Sequence, residues 1–594
     1  SNIHSALFTA VWKYTENMLF WIIEFLFSTC GLVLGGVLAV LYYLHESNRV
    51  KEISECYDIL RKRRQDEIRK SIERFRESLK GEEDGSEITK QTLSAIKEKV
   101  DKGELTACQV LRAFQQKALK LHDKFNCLVE PVWEAEDDAR SVDEKKSEGL
   151  LAGIPVSIKD DVGIKGYNTT AGLASLIGQT SLEDSVVVQV LRKNGAVIFA
   201  RTNIPQLLAS VESSNPIYGL TKNPHNPRKA AGGSSGGEGC LIGGGGSLLG
   251  IGSDLSGSIR MPCHFNGICG FKPTSSRISQ KGMPKFMEEP TIPNTWGPMA
   301  RDVDSLVLAM RALWDGSMHK FDPLSPPVKF QNELFEDKKP LKIGYYHDKY
   351  FPTPPVIQRA MDMAIEELKK QGHQVIEWVP PDFENVFPLM MAAFFADGGD
   401  SLMAALEGDK VDYSIKNFVD ALKIPKLLRP LMTFYAKRYL NERDGQAAEA
   451  MQGSKSVYEF YKVQSSIKEF QYKVSEAWKA EGLDALLSPT LPYPALDNGH
   501  PEHAISGEVY TAFYNLLDFP AGVVRMTKQT KDDIAALRYF KPNPAVKMQE
   551  EIKELMTTGE GMPVGVMVGA LRWQDEKCLR VMKCVEKAAD FIIQ

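Results

Sequence analysis

A long apolar segment lies near the start of the sequence. Residues 25–44 form a run of 20 positions without a charged side chain. A helix of that length rises about 30 Å, which matches the hydrocarbon core of a bilayer. The pattern therefore predicts one transmembrane helix within residues 1–47, with a buried core helix as the alternative. A secretory signal fits less well, because such signals have a shorter apolar stretch behind a basic leader.

The charges on the two sides of this segment are unequal. Lys13 and Glu24 precede it, whereas Arg49, Lys51 and the basic cluster at 61–64 follow it. Lys and Arg next to a span favour the cytosolic side of the membrane. We therefore expect a single-pass protein with the rest of the chain on the cytosolic face.

A second pattern, with a period near 3.6 residues, follows the apolar segment. Apolar side chains recur amid dense charge and the pattern stops at Gly81; they are Ile53, Tyr57, Leu60, Ile68, Ile72, Phe75 and Leu79. This spacing predicts an amphipathic connecting helix within residues 48–88. Its basic side chains are typical of contact with anionic lipid and equally of a solvated helix face.

From residue 89 onward, strand and helix patterns alternate. Short apolar runs at 153–158, 196–200, 342–346, 374–378, 485–488 and 563–569 predict strands, and periodic segments at 89–100, 105–122, 184–194 and 355–371 predict helices. This alternation predicts an α/β fold over 89–594, with a large mixed, mostly parallel twisted sheet covered by helices on both faces.

The composition is that of a globular protein and excludes several classes. Apolar residues make up 43% and charged residues 25%, and the net charge of −5 provides no basic field for nucleic acid. Nine cysteines without a C-x-x-C pair favour reduced thiols over a disulfide framework. Cys263, His264 and Cys269 lack the spacing of a zinc site, so we expect no metal and no cofactor.

The segment from Gly232 to Gly270 contains 14 glycines in 39 residues. A phosphate-binding loop is disfavoured, because no Gly-Lys-Ser/Thr closes the segment. A nucleophile elbow at Ser234 or Ser235 fits the G-x-S-x-G pattern and needs a histidine partner; the downstream candidates are His264, His319, His347, His373, His500 and His503. A third interpretation pairs a serine nucleophile with Lys159, which ends an apolar strand where burial lowers the pKa of an amine.

Three motifs together resemble the amidase signature family. They are Pro155-Val-Ser-Ile-Lys159, Gly232-Gly-Ser-Ser-Gly-Gly237 and Gly252-Ser-Asp-Leu-Ser-Gly-Ser-Ile-Arg260; further matches lie at 103–107, 202–203, 267–273, 297–301 and 519–521. The resemblance covers residues 89–590. With the apolar N-terminal segment and residues 514–524, it extends to the animal members of that family that hydrolyse fatty acid amides.

The resemblance implies a Ser-Ser-Lys catalytic unit. Ser258 would be the nucleophile, Ser234 the bridging hydroxyl and Lys159 the general base. The implied oxyanion hole consists of backbone N–H groups of Leu255, Ser256, Gly257 and Ser258, with Ser235 in support and Asp254 pairing with Arg260 to hold the turn. Ser256 departs from the glycine that is usual in the family, so this position must either avoid a positive φ or tolerate strain.

The resemblance also implies a membrane contact and a substrate. Residues 416–440 interleave basic and apolar side chains, are interrupted by Pro425 and Pro430, and predict an interfacial cap at about 412–441. An ordinary surface helix pair is the alternative. Leu208 and Val211 match positions that line the acyl channel. The implied reaction converts N-acylethanolamines or primary fatty amides to fatty acid and amine.

The implied setting is an endoplasmic-reticulum-like membrane and a homodimer. Two other functions remain possible: a Ser-His-Asp esterase, and a catalytically inert membrane scaffold with this fold. An amidotransferase subunit shares the signature, but the apolar segment and the basic cap sequence speak against that role.

Overall fold

A computed structural model describes residue 18 and residues 29–145, 149–283, 291–500, 506–544 and 546–590. Its chain divides into two compact units. One comprises residues 1–60 and 407–410, and the other comprises residues 61–406 and 411–594.

The described part of the N-terminal region is one continuous helix, α1 (Thr29–Ser78). The predicted boundary between residues 47 and 48 lies inside it, because neither proline nor glycine interrupts the sequence between Gly36 and Gly81. Residues 25–28 of the predicted span are outside the described residues. Within the part that is described, no helix combines the length and apolarity needed to cross a bilayer.

The larger unit contains an eleven-stranded sheet. The strands are β1 (Leu128–Pro131), β2 (Pro155–Lys159), β3 (Val197–Thr202), β4 (Leu249–Asp254), β5 (Cys269–Lys272), β6 (Thr295–Ala300), β7 (Lys342–Tyr345), β8 (Gln374–Glu377), β9 (Ala485–Pro489), β10 (Ala521–Lys528) and β11 (Pro563–Gly569). Their order across the sheet is β1-β3-β2-β4-β6-β5-β10-β11-β9-β7-β8.

The sheet is mixed, and the prediction that it is mostly parallel is wrong. In the described residues β2 pairs in parallel with β3 and β4, and β7 with β8 and β9, while the other six neighbouring pairs are antiparallel. The antiparallel centre involves β4, β5, β6 and β10, whose sequences predicted no strand. Glycines at 250, 252, 270, 297 and 522 interrupt their apolar patterns.

Helices cover both faces of the sheet. The remaining ones are α2 (Ser86–Thr89), α3 (Leu93–Asp101), α4 (Ala107–Phe125), α5 (Ala135–Lys145), α6 (Val186–Lys193), α7 (Gly236–Gly243), α8 (Arg260–Asn266), α9 (Val303–Leu313), α10 (Met318–Phe321), α11 (Asn332–Glu336), α12 (Pro355–Lys370), α13 (Val386–Phe394), α14 (Asp400–Ala405), α15 (Lys416–Leu422), α16 (Arg429–Tyr439), α17 (Glu442–Ala450), α18 (Val457–Glu481), α19 (Val509–Leu516), α20 (Lys531–Ala536), α21 (Lys547–Met556) and α22 (Asp575–Glu586).

Alternate strand residues enter two separate cores. Val566 and Val568 pack in the core that contains α6, α9, α12 and α22, whereas Met567 packs in the core of α13, α18 and α19. Side chains of a strand alternate between faces, so helices are present on both sides of the sheet, as the sequence predicted.

The predicted cap sequence forms short helices separated at its prolines. α15 ends at Leu422, a 3₁₀ turn covers Lys426–Leu428, and α16 follows. Arg429 does not contribute to a basic surface. It is buried, and its guanidinium donates to the carbonyls of residues 398, 422, 424 and 451, so it holds the cap together from inside.

Candidate active site

Lys159 and Ser234 lie in direct contact. Lys159 is the last residue of β2, its side chain is fully buried, and its Nζ is 2.7 Å from the Oγ of Ser234. Because β2 and β4 are parallel, their carboxyl ends lie side by side, and the turn that follows β4 carries Ser258. The sheet therefore brings the lysine and the two serine-bearing segments to one edge.

The surroundings of Lys159 favour its neutral form. Burial lowers the pKa of Lys159 from its ordinary value, because the ammonium loses its hydration, while the carboxylate of Asp161 opposes this shift. Asp161 Oδ2 is 3.6 Å from Nζ. That separation is too long for a normal hydrogen bond but short enough for an ion pair once the amine is protonated.

Ser253 is a second hydroxyl in contact with Lys159, and the sequence did not single it out. Its Oγ lies 2.7 Å from Nζ and donates a short hydrogen bond to Asp161 Oδ2. Ser253 lies inside the predicted motif Gly252–Arg260, and Asp161 follows the predicted motif that ends at Lys159. Their position in the sequence was the available signal.

A buried carboxyl group also lies near Lys159. Glu238 of α7 accepts hydrogen bonds from Ser157 Oγ at 2.5 Å and from Thr202 Oγ1 at 2.8 Å. Burial raises the pKa of Glu238 to about 8. At neutral pH the group is therefore largely uncharged and acts on Lys159 more weakly than a carboxylate would.

Ser258 lies in the turn between β4 and α8 with 8% of its surface exposed. The N–H of Ser235 donates to the carbonyl oxygen of Ser258 at 3.2 Å, and the Oγ of Ser235 donates to the carbonyl of Ser253 at 3.4 Å. Ser235 thus joins the segment that carries Ser234 to the segment that carries Ser258.

Asp254 and Arg260 form a buried ion pair that closes this turn. Nη2 of Arg260 donates to Asp254 Oδ1 at 2.8 Å and Nε donates to Oδ2 at 3.0 Å. Asn515 Nδ2 also donates to Asp254 Oδ1, at 3.0 Å. Burial by itself raises the pKa of Asp254, but Arg260 and Asn515 outweigh it and hold the pKa at about 2.

The four predicted oxyanion donors differ in their contacts. The N–H of Gly257 donates to Asp254 Oδ1 at 2.9 Å, which leaves the N–H groups of Leu255, Ser256 and Ser258 as candidate donors. Gly257 has φ +136°, and a Cβ there would lie 2.5 Å from Thr511 Oγ1. Only glycine fits this point of the turn.

Ser256 meets no backbone strain, because the positive φ falls on Gly257 instead. Its hydroxyl donates to Glu508 Oε2 at 3.3 Å, and Thr511 Oγ1 donates to its carbonyl oxygen at 2.5 Å. Burial raises the pKa of Glu508 to about 8. Glu508, Thr511 and Asn515 lie about 250 residues from the turn in the sequence, so spacing could not reveal them.

Leu208 and Val211 flank the segment next to Ser234. Leu208 is half-buried at the end of a 3₁₀ turn, and Val211 is buried in a core cluster with Met261 and Tyr493. A Cβ at Gly233 would lie 2.1 Å from the carbonyl oxygen of residue 210, so residues 208–211 run directly alongside the glycine-rich segment that carries Ser234.

Four of the histidines that could have partnered a serine nucleophile bond to groups other than Ser234, Ser235 and Ser258. Both ring nitrogens of His264 face backbone groups, of Tyr493 and Gly565, and burial lowers the pKa of His264 to about 4. His319, His347 and His373 bond to Ser325, Thr353 and Leu341 respectively. His503 is outside the described residues.

In the residues that the structure describes, no set of three or more His, Cys, Asp or Glu side chains has an arrangement that would hold a metal ion. Cys263 and Cys269 are buried free thiols there.

Comparison with known proteins identifies the family. A family model described as Amidase matches residues 109–579. The chain is 38% identical over 498 residues to fatty-acid amide hydrolase 1 of Sus scrofa, covering 83% of this chain and 85% of that protein. It is 33% identical over 569 residues to fatty acid amide hydrolase 1 of Caenorhabditis elegans, covering 94% and 98%. A solved structure of a fatty acid amide hydrolase matches with a TM-score of 0.72 at 25% identity, covering 93% of this chain and 96% of that one. The chain therefore belongs to the amidase signature family, a family of enzymes that hydrolyse the C–N bonds of amides.

Proposed function

We propose that the protein hydrolyses long-chain fatty acid amides through an acyl-enzyme on Ser258, with Ser234 as the proton bridge and Lys159 as the base. The observation that carries this proposal is the contact of a fully buried Lys159 Nζ with Ser234 Oγ at 2.7 Å. A buried amine with a lowered pKa can accept a proton near neutral pH, which an exposed lysine cannot do.

The first chemical step forms a tetrahedral intermediate on Ser258, which becomes the acyl ester only when the amine leaves. Lys159 takes the proton of Ser234 while Ser234 takes that of Ser258, and the oxygen of Ser258 attacks the amide carbonyl. Negative charge develops on the carbonyl oxygen in the transition state, and the N–H groups of Leu255, Ser256 and Ser258 stabilise it. The Asp254–Arg260 pair keeps these donors in one turn.

The second step expels the amine. Ser234 donates a proton to the leaving nitrogen, and Lys159 returns a proton to Ser234. Water then attacks the ester by the same route and releases the fatty acid. Delivery of a proton to nitrogen matters because an unprotonated amine anion is a very poor leaving group.

The fatty acid amide substrate rests on the relatives and on the Leu208–Val211 segment. Both relatives described above are named fatty acid amide hydrolases. The apolar side chains of Leu208 and Val211 lie on the segment that contacts Gly233, next to Ser234. An acyl chain bound along this segment would present its carbonyl to the serine pair.

The cap formed by α15, α16 and the turn between them is proposed to lie in the membrane interface. Its exposed apolar side chains are Leu427, Leu428, Leu431, Phe434, Tyr435, Tyr439 and Leu440. Several basic side chains are already paired, Lys426 with Asp400 at 2.6 Å and Lys437 with Glu449 at 2.8 Å. Apolar insertion therefore contributes more than charge, and binding to neutral as well as anionic vesicles is expected. The endomembrane location and the homodimer stay predictions.

The test is product analysis with the purified chain. Incubation with a long-chain primary amide and with an N-acylethanolamine should release free fatty acid and amine, and Ser258→Ala should release neither. Ser235→Ala keeps a serine at 234 and at 258 and is the matched control, with measurable turnover expected. Product formation by Ser258→Ala equal to that of the unmodified chain would overturn the assignment, and no turnover by either protein would support an inert scaffold.

A further inference from the structure

Lys159 has two hydroxyl neighbours, and the proposed reaction uses only one of them. Ser234 and Ser253 each have their Oγ 2.7 Å from Nζ. Ser253 in turn donates to Asp161, which lies two residues after the end of β2 and whose side chain is fully buried. Oδ1 of Asp161 has no hydrogen-bond partner in the part of the chain that the structure describes.

The donors and acceptors in this chain of contacts can be assigned in one consistent way. A carboxylate only accepts hydrogen bonds, so the single proton of the Ser253 hydroxyl points to Asp161. The lone pairs of Ser253 then face Lys159, and an N–H of the neutral amine donates to them. Rotation about the Cε–Nζ bond then allows the lone pair of Nζ to face Ser234, which is the direction in which a base must accept the proton.

Asp161 is also the charge with the largest effect on the amine. Three carboxyl groups from three elements act on Nζ: Asp161 after β2, Glu238 of α7 and Asp254 of β4. Asp254 is paired with Arg260, and Glu238 is largely protonated at neutral pH. Asp161, 3.6 Å away, lacks a cationic partner other than Lys159 among the described residues.

We propose that Asp161, acting through Ser253, is a positioning residue that aims the lone pair of Lys159 at Ser234 and stabilises the ammonium formed when the proton arrives. The inference rests on the proposed function of Lys159. In the first step the proton of Ser258 moves to Ser234 and that of Ser234 moves to Nζ, while the new C–O bond forms. Asp161 remains a carboxylate throughout, and the proton returns to Ser234 as the C–N bond breaks.

The decisive variant is Asp161→Asn, measured as the pH dependence of kcat for a long-chain amide. An opposite charge at this distance favours the protonated lysine, so its removal lowers the pKa of the amine. The acid limb of the profile should therefore move ~1–3 pH units lower. The plateau rate should fall, because the weaker base accepts the proton less readily, and KM should change little. A loss of activity by the same factor at every pH, with an unmoved acid limb, would overturn the proposal.

Two further variants separate this role from a structural one. Asp160→Asn removes the neighbouring buried carboxylate, which pairs with Arg201 at 2.5 Å and contacts Thr170, and it should leave the acid limb in place. Ser253→Ala breaks the bridge and should lower kcat, whereas Ser253→Thr keeps a hydroxyl and should recover most of it. If Asp161→Asn does not fold, this Ala/Thr pair carries the test, and equal rates for the two would refute the bridge.

Failure of this inference is distinguishable from failure of the proposed function. Undiminished amide turnover by Lys159→Ala would show that Lys159 is not the base and would overturn the proposed function. Lys159→Ala without turnover, together with an unmoved acid limb in Asp161→Asn, would remove only the role of Asp161.

Discussion

Replacing Lys159 by alanine should damage amide hydrolysis far more than ester hydrolysis. The substitution removes the group 2.7 Å from Ser234 that takes the incoming proton and later returns it. A positioned acid or base contributes about 10²–10⁴-fold to the rate. Attack on either substrate needs the first transfer, but only expulsion of an amine depends strongly on the second. We therefore expect amide turnover to fall about 10²–10⁴-fold more than ester turnover.

The assay compares an amide and an ester with the same acyl chain, measured as kcat across the neutral pH range. Stability must be controlled, because the variant removes the buried amine that bonds to Ser253 and leaves unfilled space beside the buried Asp161 side chain. The double variant Lys159→Ala/Asp161→Asn also removes the buried carboxylate and should recover part of the stability without recovering amide turnover. Equal losses for amide and ester in the folded variants would refute the reasoning.

Four further predictions concern the turn and the cap. Gly257→Ala would place a Cβ 2.5 Å from the hydroxyl of Thr511, at a backbone φ of +136° that disfavours alanine. The distorted turn should lose oxyanion donors, so kcat should fall about 10²–10³-fold with a smaller change in KM. An unchanged kcat would contradict the assigned turn. Arg260→Gln should lower the free energy of unfolding by about 3–5 kcal/mol in urea titrations, and adding Asp254→Asn should restore part of it; no loss would show that the pair is dispensable. The pKa of Asp254 is about 2, below its ordinary value of 3.8, so the stability that this carboxylate contributes is complete above pH ~4 and is lost as the pH falls toward 2. Acid unfolding of the unmodified chain and of Asp254→Asn, measured side by side, tests this dependence. Phe434→Asp should weaken partition of the full chain into neutral vesicles about tenfold or more, since a buried aromatic side chain contributes ~1.5–3 kcal/mol, whereas Tyr539→Asp should not; equal effects would contradict the cap as the membrane contact.

The sequence carried those parts of the site that depend on local chemistry. Lys159 ends a short, mostly apolar and fully buried strand, and the density of glycine around Gly233 indicates that backbone segments approach closely there. Such features depend on residues that are neighbours in the sequence. A search of the sequence for strand ends and glycine clusters therefore finds the serine and lysine segments.

Contacts between distant segments could not be found in this way. Thr511 and Asn515 reach the turn from α19, and Asp161 becomes meaningful only once Ser253 is seen to bridge it to Lys159. The prediction of a mostly parallel sheet was wrong for a related reason. Antiparallel neighbours such as β5 and β10 are set by tertiary pairing, and the glycine in each strand hides the alternation that would have predicted a strand.

The same limit explains the position of Arg429. In the sequence it belongs to a basic and apolar run that is typical of a membrane surface, yet four backbone carbonyls bind its guanidinium in the interior. The interruption at Pro425 leaves the carbonyls of Leu422 and Ile424 without helical partners, and the buried arginine binds them together with the carbonyls of Gly398 and Met451. Composition alone does not distinguish that arginine from its exposed neighbours.

The role of Ser258 as the nucleophile can be tested by mass spectrometry of the protein after reaction with an alkyl fluorophosphonate. The candidate serines 234, 235 and 258 all lie on one tryptic peptide, residues 230–260, so fragment ions within that peptide must locate the adduct. We expect a single adduct on Ser258, which should be absent from Ser258→Ala and should form much more slowly in Lys159→Ala. An adduct on Ser234 or Ser235 of the unmodified chain would contradict that role.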